Sequence, residues 1–134
     1  MARRLILDSG VLIAAERSVV ALGSVVGPDD DVALAAISVA ELRAGVELAD
    51  DHHRQGRAAL LVRALELIPV ELYDLSVAVA HGELLAHVRR SGQQRGAHDL
   101  IIAATAVATR RTLITTDRAA RFDELPGVDC VVLP

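Results

Sequence analysis

Lysine is absent from this chain, in which Arg supplies all 14 of the basic side chains. Its absence excludes a Walker-A phosphate loop, Schiff-base chemistry, and the phosphoryl-transfer sites of receiver and haloacid-dehalogenase-type domains, because each of these needs a Lys. Cysteine is nearly absent as well. The single Cys130 excludes an intrachain disulfide, and its apolar neighbours are typical of a core position.

Aromatic residues and long apolar runs are also scarce. Apolar residues make up 52% of the sequence but aromatics only 1%, so the core must be built from small and branched aliphatic side chains. No uncharged apolar run reaches the roughly 18–20 residues that span a membrane. The short run that follows the N-terminal basic residues ends at Asp8, which is unlike a signal peptide. We therefore expect a cytoplasmic protein with no membrane contact.

The charge balance gives a weak argument about partners. A formal net charge of −4 does not favour a general electrostatic binder of nucleic acid. Two bound divalent cations would, however, cancel four negative charges at the one place where a phosphate has to approach. The net charge alone therefore does not exclude a nucleic-acid substrate.

What the sequence does contain is a regular alternation of strand and helix patterns. The predicted strands cover residues 3–8, 32–37, 70–75, 112–115 and 128–133. The predicted helices cover residues 11–20, 38–49, 50–68, 76–90, 97–109 and 118–125, with a loop at 23–31. This alternation predicts a parallel five-stranded sheet with helices on both faces. We expect one α/β domain over residues 1–134, a three-layer α/β/α sandwich.

Four acidic residues stand where predicted strands end or helices begin: Asp8, Glu41, Asp99 and Asp117. Parallel sheets collect the carboxyl ends of their strands at one edge, where ligands bind. Four carboxylates gathered there would repel one another unless a cation lay between them. Mg²⁺ and Mn²⁺ prefer such oxygen ligands. The pattern predicts a site for one or two of these ions and metal-assisted hydrolysis of a phosphodiester.

Each acid also has a purely structural explanation. Asp8 and Asp117 could cap the helices that follow them. Glu41 could form a capping box with Ser38, and Asp99 could simply favour the positive end of a helix dipole. Four successive helix starts with an acid, all at one sheet edge, would be an unusual set of caps. Taken together, they favour the metal site.

The segments around these acids resemble the PIN-domain ribonucleases and, within them, the VapC-type toxins of bacterial toxin–antitoxin pairs. The matching segments are LILDSGVL at 5–12, ISVAELRAG at 37–45, AHDLIIAATA at 97–106 and LITTD at 113–117. No single motif is diagnostic, but their order and spacing along the chain match the family. The resemblance implies the same parallel five-stranded fold.

The resemblance also implies an activity and its residues. Asp8, Glu41, Asp99 and Asp117 would be the catalytic acids and the metal ligands of an endoribonuclease, with Asp8 and Asp99 the firmest direct ligands. Small hydroxyl residues, Ser9 and Thr116, would support the cluster. Arg118 and Arg121 follow Asp117 closely and are candidate contacts for RNA phosphates, although a solvated helix face explains them equally well. Cleavage by water would leave a 5′-phosphate and a 3′-hydroxyl.

The partners implied by the resemblance are an RNA substrate, a cognate antitoxin that covers the acidic edge, and a second copy of the chain. The apolar helices near residues 42–48 and 60–67 are candidates for the antitoxin groove. Three alternatives remain open: a non-catalytic PIN-like binding module, a structure-specific DNA nuclease and a small-molecule phosphatase. The short chain leaves little room for DNA-threading helices, and it lacks an Asp-x-Asp after the first strand.

Overall fold

A five-stranded, all-parallel sheet organises the chain in the computed structural model, which describes residues 2–17 and 21–134. The order of the strands across the sheet is β3-β2-β1-β4-β5. The strands are β1 (Arg4–Leu7), β2 (Asp31–Ala35), β3 (Val70–Glu71), β4 (Thr112–Thr115) and β5 (Cys130–Val132). The predicted five-stranded parallel sheet is therefore confirmed.

Helices cover both faces of this sheet. They are α1 (Ser9–Glu16), α2 (Leu22–Val25), α3 (Ala36–Leu48), α4 (Asp51–Leu67), α5 (Leu75–Ser91) and α6 (Ala97–Thr109). Among the residues that the structure describes, none of these helices combines the length and apolar character needed to cross a bilayer.

Two apolar clusters, one on each face, hold the layers together. Alternate residues of β1 point to opposite faces, so Leu5 and Leu7 join one cluster while Ile6 joins the other. The cluster on the Leu5 side contains the buried faces of α1, α3 and α4, and the other contains α5, α6 and Phe122. Burial of each large aliphatic side chain stabilises the fold by about 1.5–3 kcal/mol. This arrangement confirms the predicted α/β/α sandwich.

The start of α3 differs from the sequence-based prediction. Strand β2 ends at Ala35 and the helix begins at Ala36, two residues before the predicted start at Ser38. A continuous apolar run does not by itself distinguish the end of a strand from the start of a helix. The helix has no side-chain cap at Ala35, and Ser38 is fully buried inside its first turn. The capping box suggested for Ser38 and Glu41 is therefore wrong.

Other element boundaries also differ from the prediction. Helix α1 begins at Ser9, and residues 18–20 of the predicted helix 11–20 lie outside the described residues. The short helix α2 occupies part of the predicted loop. Strand β3 has only two residues, Val70 and Glu71, and α5 begins at Leu75, where Asp74 caps it by accepting a hydrogen bond from the Val77 N–H at 3.0 Å.

The segment predicted as one helix at 118–125 consists of two 3₁₀ turns, Arg118–Ala120 and Phe122–Glu124. Arg121 separates them with a φ of 50°, in the left-handed region that non-glycine residues seldom adopt. Phe122 and Leu125, both buried, anchor the second turn to the core. After this bend the chain crosses to the amino end of the sheet, where β5 begins parallel to β4.

The sheet has a topological switch point at its centre. From β1 the chain moves outward through β2 to β3, and then crosses to β4 and β5 on the other side. Neighbouring helices diverge at such a point and leave a crevice at the carboxyl ends of the two central strands. In this fold the crevice lies at the carboxyl ends of β1 and β4, the strands that are followed in sequence by Asp8 and Asp117.

Candidate metal centre at the sheet edge

Asp8 occupies the middle of this edge. It directly follows β1, and its N–H donates to the carbonyl oxygen of Ile114 at 2.9 Å, which extends the pairing of β1 with β4 by one residue. Its side chain makes no helix-capping hydrogen bond, so the capping explanation for this acid is not supported. Burial raises the pKa of the Asp8 carboxyl, against the effects of hydrogen bonds from Thr115 and Ser9.

Thr115 is the hydroxyl residue that organises the centre, and the sequence reasoning missed it. Its fully buried Oγ1 donates to Asp8 Oδ2 at 2.9 Å and accepts from the Asp117 N–H at 3.0 Å. One hydroxyl thus fixes the position of two of the four acids. The signal lies in the strand register. Leu7 pairs with Ile114, so the next residues along the strands, Asp8 and Thr115, lie side by side.

The two predicted supporting hydroxyls have different surroundings. Ser9 begins α1, where its backbone N–H and hydroxyl make lesser contributions that lower the pKa of Asp8. Thr116 lies against the first turn of α1, with its Oγ1 3.0 Å from the place where a Cβ on Gly10 would stand. Ser9 therefore touches the cluster, whereas Thr116 packs beside it.

Glu41 reaches the cluster from the second turn of α3. Burial raises the pKa of its carboxyl, and the charges of Asp8 and Asp99 raise it further. His98 opposes this effect, with its Nδ1 3.7 Å from Glu41 Oε2. The structure therefore brings Glu41 within electrostatic range of both Asp8 and Asp99.

Asp99 lies in the first turn of α6, as predicted. Its carboxylate folds back over Gly96, where an added Cβ would stand only 2.8 Å from Asp99 Oδ2. Burial raises the pKa of Asp99, followed by the charges of Asp117 and Asp8. The acids thus form one electrostatically coupled group.

Asp117 combines a structural role with its place in this group. Its Oδ1 accepts from the Ala120 N–H at 3.1 Å, which caps the first 3₁₀ turn as the capping explanation predicted. The residue is exposed, and its other carboxylate oxygen has no hydrogen-bond partner within the described residues. Capping one turn leaves that oxygen available to a ligand.

Little positive charge compensates these acids. In the described ranges, 2–17 and 21–134, no Arg forms an ion pair with any of the four, and Glu41 pairs only with His98. Arg118 lies exposed beside Asp117, whereas Arg121 forms an ion pair with Glu124 at 3.6 Å. Neither guanidinium neutralises the cluster, and contacts from these two residues to RNA stay a prediction.

The donor set fits a hard divalent cation in its chemistry. It consists of carboxylate oxygens that raise one another's pKa values, and a bound cation would relieve that repulsion. The geometry is open: within the described residues, no three acidic, His or Cys side chains converge closely enough to hold an ion as they stand. Side-chain rotation would have to draw the carboxylates together around it.

The role of Thr115 leads to a prediction. Replacing it with Val keeps the shape but removes the donor to Asp8 and the acceptor for the Asp117 N–H. We expect the pKa of Asp8 to rise further and the free energy of unfolding to fall by about 1.5–3 kcal/mol. NMR titration of the carboxyl carbons and urea denaturation measure these changes. Thr115→Ser should preserve both values, and an unchanged Asp8 pKa in the Val variant would contradict the assignment.

Three comparisons with known proteins relate the chain to a family and to a fold. The family model described as PIN domain matches residues 5–128. The chain is 33% identical over 100 residues to toxin FitB of Neisseria gonorrhoeae, covering 69% of this chain and 70% of that protein. It is 22% identical over 131 residues to ribonuclease VapC of Rickettsia bellii, covering 97% and 96%.

A solved toxin–antitoxin structure extends the comparison to three dimensions. The chain superposes on a chain of VapBC-5, a member of the VapBC family of toxin–antitoxin systems from Mycobacterium tuberculosis, with a TM-score of 0.80. The two chains are 29% identical, and the match covers 97% of this chain and 98% of the other. The fold and the order of its elements are therefore shared along nearly the whole length.

Proposed function

The chain belongs to the PIN domain family, and from this premise we propose that it is a divalent-metal-dependent endoribonuclease that acts as the toxin of a toxin–antitoxin pair. One observation supports this above the others. Four acids lie in one electrostatically coupled group at the switch point of the sheet. Three of them have raised pKa values, and none forms an ion pair with an Arg among the described residues. A cluster of this kind is suited to phosphodiester hydrolysis assisted by Mg²⁺ or Mn²⁺.

The four acids have different roles in this proposal. Asp8, fixed by Thr115, and Asp99 would bind one ion directly, and Glu41 and Asp117 would bind directly or through water. The charge on Asp117 favours a second ion position. When bound, such an ion lowers the pKa of water and stabilises charge on the leaving oxygen. The acids orient the water in line with the phosphodiester, which leaves a 5′-phosphate and a 3′-hydroxyl.

A turnover experiment tests the proposal. Sub-stoichiometric protein should cleave cellular RNA in Mn²⁺ or Mg²⁺, cleavage should stop with EDTA, and the new 5′ ends should carry phosphate. Sequencing those ends would identify the target RNA. Binding of RNA without turnover would instead indicate a non-catalytic PIN-like module, and cleavage of flap DNA but not RNA would indicate a DNA nuclease.

Because its substrate would be cellular RNA, we propose a cytoplasmic location for the protein.

An apolar groove supports the proposed antitoxin partner. A cavity of about 540 Å³ lies between α1, α2 and α4 and is lined by Leu12, Leu60 and Ala64 among others. A smaller cavity of about 80 Å³ also includes Leu60 and reaches Glu41. An antitoxin segment lying along these cavities would reach the acidic edge. The larger cavity includes part of the predicted segment 60–67, and the smaller one includes Leu42 and Gly45 of the predicted segment 42–48. Most of the Leu42 side chain, and of the Val46 side chain, nevertheless packs into the core.

A pair of variants on α4 tests this groove. Leu60→Glu places a charge on the apolar lining and should prevent an otherwise protective antitoxin from relieving growth arrest. Val62→Glu is the control, since Val62 is 54% exposed on the same helix and does not line the groove. If the antitoxin protects both variants equally, it binds elsewhere on the protein.

We also propose that the protein forms a homodimer. The exposed side chains of Leu72, Leu75 and Val79 offer an apolar surface for it.

A further inference from the structure

Arg95 carries a buried guanidinium close to the acidic edge. It lies in the loop between α5 and α6, one residue before Gly96, the N-cap of α6. Its side chain is only 6% exposed, although most Arg side chains lie in water. A guanidinium this deeply buried is not available to bind an RNA phosphate and needs partners within the fold.

Its partners lie on the segment that follows β4. Arg95 Nη1 donates to the carbonyl oxygens of Ala120 and Arg121 at 2.6 and 2.7 Å. Its Nη2 pairs with Glu124 Oε2 at 3.3 Å. These bonds hold both sides of the bend at Arg121, where the backbone is left-handed. The planar fork of Arg places Nη1 on the two carbonyls and Nη2 on Glu124 at the same time, and the single nitrogen of a Lys ammonium reproduces only part of this.

A continuous hydrogen-bonded path leads from this bend to the acids. Arg95 binds the carbonyl of Ala120, and the N–H of Ala120 donates to Asp117 Oδ1 at 3.1 Å. The N–H of Asp117 in turn donates to Thr115 Oγ1, which donates to Asp8 Oδ2. The guanidinium therefore fixes the turn that holds the carboxylate of Asp117.

The main chain of Arg95 leads directly to another acid. The next residue, Gly96, is the N-cap of α6, and a Cβ added there would stand 2.8 Å from the carboxylate of Asp99 in the first turn. The side chain of Arg95 thus ties the loop that leads into α6 and Asp99 to the segment that carries Asp117. We propose that Arg95 is a positioning residue that sets the separation of Asp99 and Asp117, and so the affinity of the site for a divalent cation. This inference rests on the proposed function.

A matched pair of variants tests the proposal. In Arg95→Met the dissociation constant for Mn²⁺ should rise about 10- to 100-fold, because partners that orient metal ligands have effects of this size. EPR detection of free Mn²⁺ measures this without any turnover. The kcat for RNA cleavage at a fixed Mn²⁺ concentration should fall while the KM for RNA changes little, and Arg95→Lys should recover part of the loss.

Arg111→Met is the control. Arg111 is also buried, and its Nη1 also donates to two main-chain carbonyls, those of Leu5 and Asp31, while Nη2 pairs with Glu71. It lies at the amino end of the strands, away from the acids. Both Met variants should lower the melting temperature. At a temperature where both are folded, the Mn²⁺ dissociation constant and the RNA cleavage rate of Arg111→Met should stay within about twofold of the wild-type values. Loss of a residue that orients metal ligands has a larger effect.

The outcomes separate this inference from the proposed function. Unchanged Mn²⁺ binding in Arg95→Met, with a lowered melting temperature, would show that Arg95 only stabilises the fold. If Arg95→Met fails to fold, Arg95→Lys decides, because weakened Mn²⁺ binding in a folded Lys variant supports the proposal and wild-type binding overturns it. A wild-type protein that binds Mn²⁺ without cleaving RNA would contradict the nuclease function but leave the Mn²⁺ test of Arg95 intact.

Discussion

Replacing Asp99 with Asn should reduce Mn²⁺-dependent RNA cleavage by at least about 100-fold. Losing a residue that orients a metal ligand costs about 10- to 100-fold, and losing the ligand itself should cost more. The substitution keeps the size of the side chain and its place in the first turn of α6. It removes one charge from the coupled group. The rate constant at saturating RNA, measured over a range of Mn²⁺ concentrations, tests this expectation.

The same variant should be more stable than wild type without metal. Burial and the charges of Asp117 and Asp8 raise the pKa of Asp99, so ionising this carboxyl costs more in the folded protein than in the unfolded chain. Asn removes this unfavourable charge, and the melting temperature in EDTA should rise. Asp29→Asn is the control, since Asp29 is exposed in the turn before β2 and should leave cleavage unchanged. Full cleavage by Asp99→Asn would overturn the assignment of the site.

Most of the fold could be predicted because its signals are local. Strand ends followed by acids, and helices with one apolar face, recur along the chain, and their alternation defines a parallel sheet. The boundary between β2 and α3 could not be predicted, because the apolar run through Ile37 is compatible with either element. The bend at Arg121 was missed for another reason: tertiary contacts hold its left-handed backbone.

The acids of the site were easier to predict than their supports. The acids needed only to lie at strand ends, whereas choosing between Thr115 and Thr116 requires the register of β4 against β1. A one-residue error in that register places the wrong hydroxyl beside Asp8. Arg95 is harder still, because its partners lie 25 or more residues away and all 14 basic residues are Arg. The residue type alone carries no information about which guanidinium is buried.

Mn²⁺ should raise the melting temperature of the wild-type protein, and the rise should grow with pH. In the metal-free fold the pKa values of Asp8, Glu41 and Asp99 are raised, chiefly by burial. These three carboxyls therefore hold their protons more strongly in the folded state than in the unfolded state. Without metal, the free energy of unfolding is largest below the ordinary carboxyl pKa and falls as the pH rises through the raised pKa values. A cation binds the ionised carboxylates and must displace those protons.

Thermal unfolding with Mn²⁺ or EDTA, at about pH 8 and about pH 5.5, measures both effects. An ion at 100 times its dissociation constant stabilises the fold by about 2.7 kcal/mol, which for a domain of this size is a rise of about 10 °C. The rise should be smaller at the lower pH, where protons compete, and should largely disappear in Asp99→Asn. An equal rise in wild type and Asp99→Asn would mean that Mn²⁺ binds outside the acidic cluster. A rise that does not change with pH would contradict the proton displacement that the raised pKa values require.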